Sequence, residues 1–411
     1  MVFKVQSNTF EKQTPQMAIE PVSTADRRWP RAFRAGLTVW IVSRFGLAAA
    51  SIISWVGEPN PGLTIKGVAR KWGTQWDSIW FLDIVKQGYK PIPDNSHAAF
   101  FPMYPGLIRL FAPVFLGNSW LAALFVANAA LLAALVLLYR LTDQEFGRAA
   151  AGRTIFYLVA FPAGFFLTAA YNEGLFIALI VSAVYCMRCG HWWLAGFLGA
   201  VASGTRSAGI LLVLPFCFEY LRQHGRRIGR DALAIGMVPV GLVCVMIIGK
   251  IAYNNPFAFS DSQAARWGRQ LSWPWTAIVD AFQFMNRDDS RFAPFGEIWI
   301  HNLLELGTVL LLLTMVALAF FGHWRVRRDQ LVLPLVGVML VLFMISFPSI
   351  HTKDVQYPLM STSRIGLEVF PAFMMMGRLG RYLWLDRTFL AVFLTMQGIL
   401  VAHFLHSGWV A

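Results

Sequence analysis

The feature that most constrains this chain is the recurrence of long apolar runs. A helix needs about 20 apolar residues to cross a hydrocarbon core about 30 Å thick, where unpaired backbone groups are not tolerated. Runs approaching that scale lie near 34–55, 118–140, 153–171, 172–188, 191–204, 207–221, 232–253, 297–321, 330–350, 363–378 and 387–407. The expected fold class is therefore an all-α polytopic membrane protein with about eleven transmembrane helices. Composition agrees, since 57% of the 411 residues are hydrophobic and 14% charged, against about a quarter charged in soluble domains. The net charge of +13 raises the question of nucleic acid. The cations, however, fall in short clusters between apolar runs rather than along one polar face, so no nucleic-acid partner is expected.

Those clusters set the expected topology. Residues 1–33 read as a flexible cytoplasmic tail with no signal-peptide core, and 34–411 as one transmembrane domain. If the arginines before the first run are cytoplasmic, then Arg140, Arg148, Arg153, Arg222, Arg226, Arg227, Arg230, Arg325, Arg327, Arg328, Arg378, Arg381 and Arg387 fall on the same side. The opposite side receives two long loops, 56–117 and 254–296. The runs at 191–203 and 207–220 hold about 14 residues each, roughly 21 Å of helix. A single helix through both would separate Arg188 from Arg222. A shallow hairpin keeps them together and buries its apex, Ser203 to Ser207, with Arg206 in need of an anionic partner. Cys186 and Cys189 form a CxxC without a second pair, and they read as small residues on a helix face.

The first outer loop is the most organised stretch. Trp72, Trp76 and Trp80 recur at four-residue spacing, which predicts one amphipathic interfacial helix. A membrane anchor would explain the aromatics alone. Asp77 among them needs a cation or hydrogen bonds to stay ionised, and a carboxylate so placed suits a general base for sugar transfer. Asp83 faces elsewhere on the predicted helix and reads as a capping or solvated charge. Further on, Pro102 and Pro105 enforce a fixed turn into the next helix.

These residues carry a resemblance. Trp76-Asp77, Trp80-Phe81, Gly88-Tyr89 and the run Ala99-Phe100-Phe101-Pro102-Met103-Tyr104-Pro105 resemble the first loop of the GPI-anchor second mannosyltransferase family and its bacterial relatives. Tyr171 to Phe176, Thr205 to Gly209 and Ser363-Arg364 through Phe370-Pro371 resemble later segments of that family, in the same order. Where its pattern has a serine, an asparagine and a tyrosine, this chain has Gly174, Ala208 and Ile365. The resemblance implies a GT-C glycosyltransferase that takes a sugar, usually mannose, from a polyprenyl- or dolichyl-phosphate carrier on the non-cytoplasmic side. It also implies that an acid of the first outer loop acts as base, here Asp77.

On that reading, Arg206 and Arg364 are the first candidates to bind the donor phosphate, because a guanidinium matches phosphate oxygens with a planar fork. His351 and Lys353 come second. Trp76, Trp80, Tyr89, Tyr104 and Glu173 are the candidate substrate contacts. Structural pairings, Arg206 with Glu173 and Arg364 with Glu368, compete with these roles. No cofactor is expected: there is no Walker A, no D-x-D and no metal-ligand cluster, and Asp288-Asp289 reads as solvated charge. The expected partners are the lipid-phosphate sugar, a glycan or glycolipid acceptor and the bilayer. The loop's bacterial character favours a bacterial plasma membrane, with the endoplasmic reticulum membrane as the eukaryotic counterpart. Two other readings remain: a transporter or flippase of lipid-linked sugars, and an inactive assembly subunit. Against the first, the organised loop has no echo near 254–296.

Overall fold

The computed structural model describes residues 28–56, 64–92, 96–286, 296–349 and 357–410. Among these residues regular structure is helical, and the one extended pairing is an isolated bridge between Arg269 and Ser349. The helix α1 (Arg28–Ile53) begins inside the stretch read as tail, because Trp29, Phe33 and the following apolar residues already support a helix. The first loop then folds into α2 (Ile65–Thr74), α3 (Asp77–Gln87) and α4 (Met103–Phe111). Next come α5 (Ser119–Phe146), α6 (Arg148–Ala160), α7 (Glu173–Arg188), α8 (Trp192–Ser203), α9 (Val213–His224) and α10 (Val240–Tyr253). The second loop holds α11 (Ala258–Trp267) and α12 (Thr276–Met285). The chain continues through α13 (Glu297–Leu318), α14 (Val332–Ile345), α15 (Thr362–Ile365), α16 (Phe370–Leu379) and α17 (Leu383–Leu405).

Each expected span holds a helix, but they differ in length. Five stretches are long and apolar enough to cross a membrane: Arg28–Ile53, Ser119–Phe146, Arg230–Tyr253, Ile298–Leu318 and Leu383–Leu405. The protein is thus a multi-pass membrane protein. Its centre is α5, which packs against α1, α6 and α7. Ala122, Ala123, Ala127, Ala130 and Ala134 are buried along it, and small side chains let helix backbones approach closely where lipid offers no hydrophobic contrast. A Cβ at Gly174 of α7 would stand 3.3 Å from the Ala127 carbonyl oxygen, so glycine suits this crossing.

The span expected over 153–171 is not one helix. Pro162 follows Phe161, which leaves helical geometry at ψ 146°, and α6 stops at Ala160. The Val159 and Phe161 carbonyls left over at this break each accept a 2.8 Å hydrogen bond from Gln397 Nε2 of α17. A buried break of this kind persists only when neighbouring elements satisfy the backbone. The run over 363–378 is likewise interrupted, between α15 and α16.

The hairpin reading of α8 and α9 holds. Arg188 Nη1 and Arg222 Nη2 both meet Glu219 Oε1, at 3.0 and 2.7 Å, and Arg188 Nε also meets Glu145 at 2.7 Å. The two arginines therefore lie at one end of the molecule, and α7 carries Glu173 at the other end of its length, about 22 Å away.

Candidate active site

The site starts from a strained turn. Trp72, Trp76 and Trp80 do not share a helix, contrary to the periodic reading: the chain breaks between α2 and α3 at Gln75 and Trp76. Trp72 turns into the core against Phe165 and Phe404. Trp76 adopts φ 51°, ψ −119°, a region that bulky residues avoid. Long-range bonds hold it there: Ser78 Oγ donates to the Ala170 carbonyl at 3.1 Å, and the Ala170 amide to the Trp72 carbonyl at 3.0 Å. Strain held by surrounding structure is frequent at functional sites. The result is that Asp77, first residue of α3, points its carboxylate at α15.

There it meets Arg364, whose Nη1 donates to Asp77 Oδ2 at 2.6 Å. The same guanidinium places Nε 3.3 Å from Glu173 Oε1 and lies over the rings of Tyr171 and Phe166. Arg206, in extended backbone before the turn that starts α9, places Nη1 2.9 Å from Glu173 Oε1 and Nε 2.9 Å from Glu368 Oε1. Asn172 Oδ1 accepts a further bond from Arg206 at 3.1 Å. A continuous chain of alternating charge results: Asp77, Arg364, Glu173, Arg206, Glu368. Glu173 and Glu368 are almost completely buried, and buried carboxylates need such partners. The expected Arg206–Glu173 pair is present. The expected Arg364–Glu368 pair is not, because the turn through Gly366 to Glu368 directs Glu368 to Arg206 instead.

That chain holds three carboxylates and two arginines. A third arginine, Arg269, is half-buried on the same cavity wall and donates to the Met360 carbonyl at 3.1 Å. Among the described residues no carboxylate pairs with it. Burial, with Arg364 and Arg206 nearby, lowers its pKa to about 10, so an anion would relieve its position. The reading of the sequence missed Arg269, whose only local signal was a cation in a long loop. It also missed Glu305 of α13, which is 1% exposed and accepts hydrogen bonds from Thr362 Oγ1 at 2.6 Å, Ser363 Oγ at 3.0 Å and the Ser363 amide.

The charge chain and Arg269 face a cavity of about 800 Å³, a size ordinary for ligand sites. One part of its wall carries Asp77, Glu173, Arg206, Arg269, Arg364 and Glu368; another is apolar, with Leu242, Phe259, Phe343 and Phe347. Trp76 and Trp80 also line it. Tyr89 and Tyr104 do not: their hydroxyls donate to the Phe100 and Ala123 carbonyls, at 2.6 and 2.9 Å, and Tyr104 is fully buried. Asp83 sits 3.8 Å from His97 Nε2. His351, Lys353, Asp288 and Asp289 lie outside the described residues. Among the described residues no group of side chains is suited to hold a metal.

Residues 64–321 match the family model described as mannosyltransferase (PIG-V). The chain is 33% identical over 150 residues to the GPI alpha-1,6-mannosyltransferase 2 of Cricetulus griseus, covering 34% of this chain and 30% of that protein. It is 29% identical over 228 residues to the GPI mannosyltransferase 2 of Aspergillus oryzae, covering 48% and 49%. The chain thus spans between about a third and a half of the curated relatives it matches. Among solved structures it is similar to ArnT from Cupriavidus metallidurans bound to undecaprenyl phosphate, at 13% identity and a TM-score of 0.48, covering 90% of this chain and 78% of that one. With its family model spanning well over half of its length, the chain belongs to the mannosyltransferase (PIG-V) family.

Proposed function

We propose that this protein is a membrane glycosyltransferase that moves a sugar, mannose by family, from a polyprenyl- or dolichyl-phosphate carrier to a hydroxyl of a glycan or glycolipid. The observation that carries the reading is Asp77, held on a strained turn at the wall of a cavity lined both by charged groups, three arginines among them, and by apolar side chains. A lipid-phosphate sugar has the complementary pattern: an apolar chain, an anion and a polyhydroxylated ring.

Asp77 takes the proton of the acceptor hydroxyl as its oxygen attacks the anomeric carbon. The bond from that carbon to the phosphate oxygen breaks, with inversion, and the lipid phosphate leaves with its electron pair. Arg269 is the first candidate for the leaving phosphate, since Arg206 and Arg364 are already engaged by carboxylates. Those two add positive potential and hold Glu173, whose Oε2 is buried and meets no hydrogen-bond donor among the described residues. The cavity belongs to the non-cytoplasmic face on this reading, with the N-terminus cytoplasmic. The support is the basic cluster around Arg188 and Arg222 at the far end of α7.

The decisive assay supplies the reconstituted protein with radiolabelled polyprenyl-phosphate mannose and a panel of lipid-linked acceptors. Transfer is expected, and Asp77→Asn should lower its rate by about 10²- to 10⁴-fold while remaining folded and inserted. Wild-type turnover by that variant removes Asp77 from the base role.

A further inference from the structure

We infer that Glu305, outside the cavity wall, is a positioning residue that sets Arg364 against Asp77. This rests on the reading of Asp77 as base. The helix α15 has only four residues, too few to hold a conformation unaided. The residue before it, Ser361, has φ 67° without being glycine. Thr362, Ser363 and Arg364 are all buried, so water does not satisfy their polar groups. Glu305 does so: one carboxylate takes both hydroxyls and the Ser363 amide. The next residue along the chain is Arg364, 2.6 Å from Asp77. Glu305 thereby ties this turn to α13, a 22-residue helix, which gives the arginine a rigid base from which to leave it.

A carboxylate gripped by a guanidinium keeps a fixed direction toward the acceptor hydroxyl. Loosening Arg364 therefore lowers kcat, while donor binding, assigned to Arg269, is kept. The other charged or titratable groups near Asp77 are Glu173, Arg269 and Tyr171, and Arg269 is also within electrostatic reach of Glu305. His301 lies against Glu305 as well, with Nε2 at 3.4 Å and its ring against Tyr357 and Trp409.

The test measures kcat and donor KM separately for Glu305→Gln and for Thr362→Val, the milder variant, which leaves the Glu305 charge in place. Both should lower kcat per folded molecule, by roughly 10- to 100-fold for Glu305→Gln, and Thr362→Val should leave donor KM within about twofold of wild type. A merely structural role would reduce the amount of folded enzyme and leave kcat per folded molecule in place. An unchanged kcat in folded Glu305→Gln, or in Thr362→Val where the first variant does not fold, overturns the inference. So does a Thr362→Val variant whose loss lies in donor KM alone. An inactive Asp77→Asn beside an unchanged kcat in Glu305→Gln sinks this inference alone; an active Asp77→Asn overturns the base reading and this inference together.

Discussion

Arg206, Arg269 and Arg364 share a cavity wall and differ in what already holds them. Arg206 joins Glu173 to Glu368, both buried, so its removal strands two carboxylates. Breaking a buried pair of this kind costs about 3–5 kcal/mol. Arg269 donates to a carbonyl and meets no carboxylate among the described residues. Arg206→Ala is therefore expected to lower the melting temperature in detergent sharply. Arg269→Ala should leave it nearly unchanged and raise the donor KM by about 10- to 100-fold, as loss of a charge-assisted hydrogen bond does. Equal effects of the two substitutions on donor KM would refute the division of labour. At this scale the sequence made Asp77, Glu173, Arg206 and Arg364 visible as charges in apolar surroundings. It did not show who pairs with whom, because Arg364 and Asp77 are 287 positions apart and nothing local encodes that meeting.

Among the elements, helix existence was legible and helix breaks were not. The periodic tryptophans suggested one interfacial helix, yet the chain turns at Trp76, where tertiary bonds override local preference. Pro162 could have marked the end of α6, since a proline disfavours helical geometry in the residue before it. What the sequence could not show is that Gln397, from α17, completes the broken end. Gln397→Leu leaves the Val159 carbonyl without this partner, at about 1–3 kcal/mol, while the Phe161 carbonyl keeps the Gly164 amide at 2.7 Å. A drop in thermal stability with little change in donor KM is the expected result; an unchanged melting temperature would mean that the break satisfies itself.

For the whole molecule, the arginine clusters predict which end faces the cytoplasm, and the described contacts gather Arg188 and Arg222 at the end of α7 away from Glu173. Leu271, on the cavity wall, and Arg325, in an arginine cluster expected to be cytoplasmic, are both exposed. In a background without the native cysteines, Leu271→Cys should react with an impermeant thiol reagent added outside, and Arg325→Cys only after permeabilisation. The reverse pattern would invert the proposed topology. The exposed pair Trp273 and Trp275, stacked at 5.0 Å, suits a headgroup boundary beside Leu271. The amino-acid sequence by itself determined the helical membrane class, the positions of the long apolar runs and the acid of the first loop, because hydropathy and charge are written locally. Only the tertiary structure decided the alternating charge chain, the place of Arg269 on the cavity wall and the buried carboxylate behind Arg364. Each depends on helices from distant parts of the chain packing closely enough to bring polar groups within about 3 Å of one another.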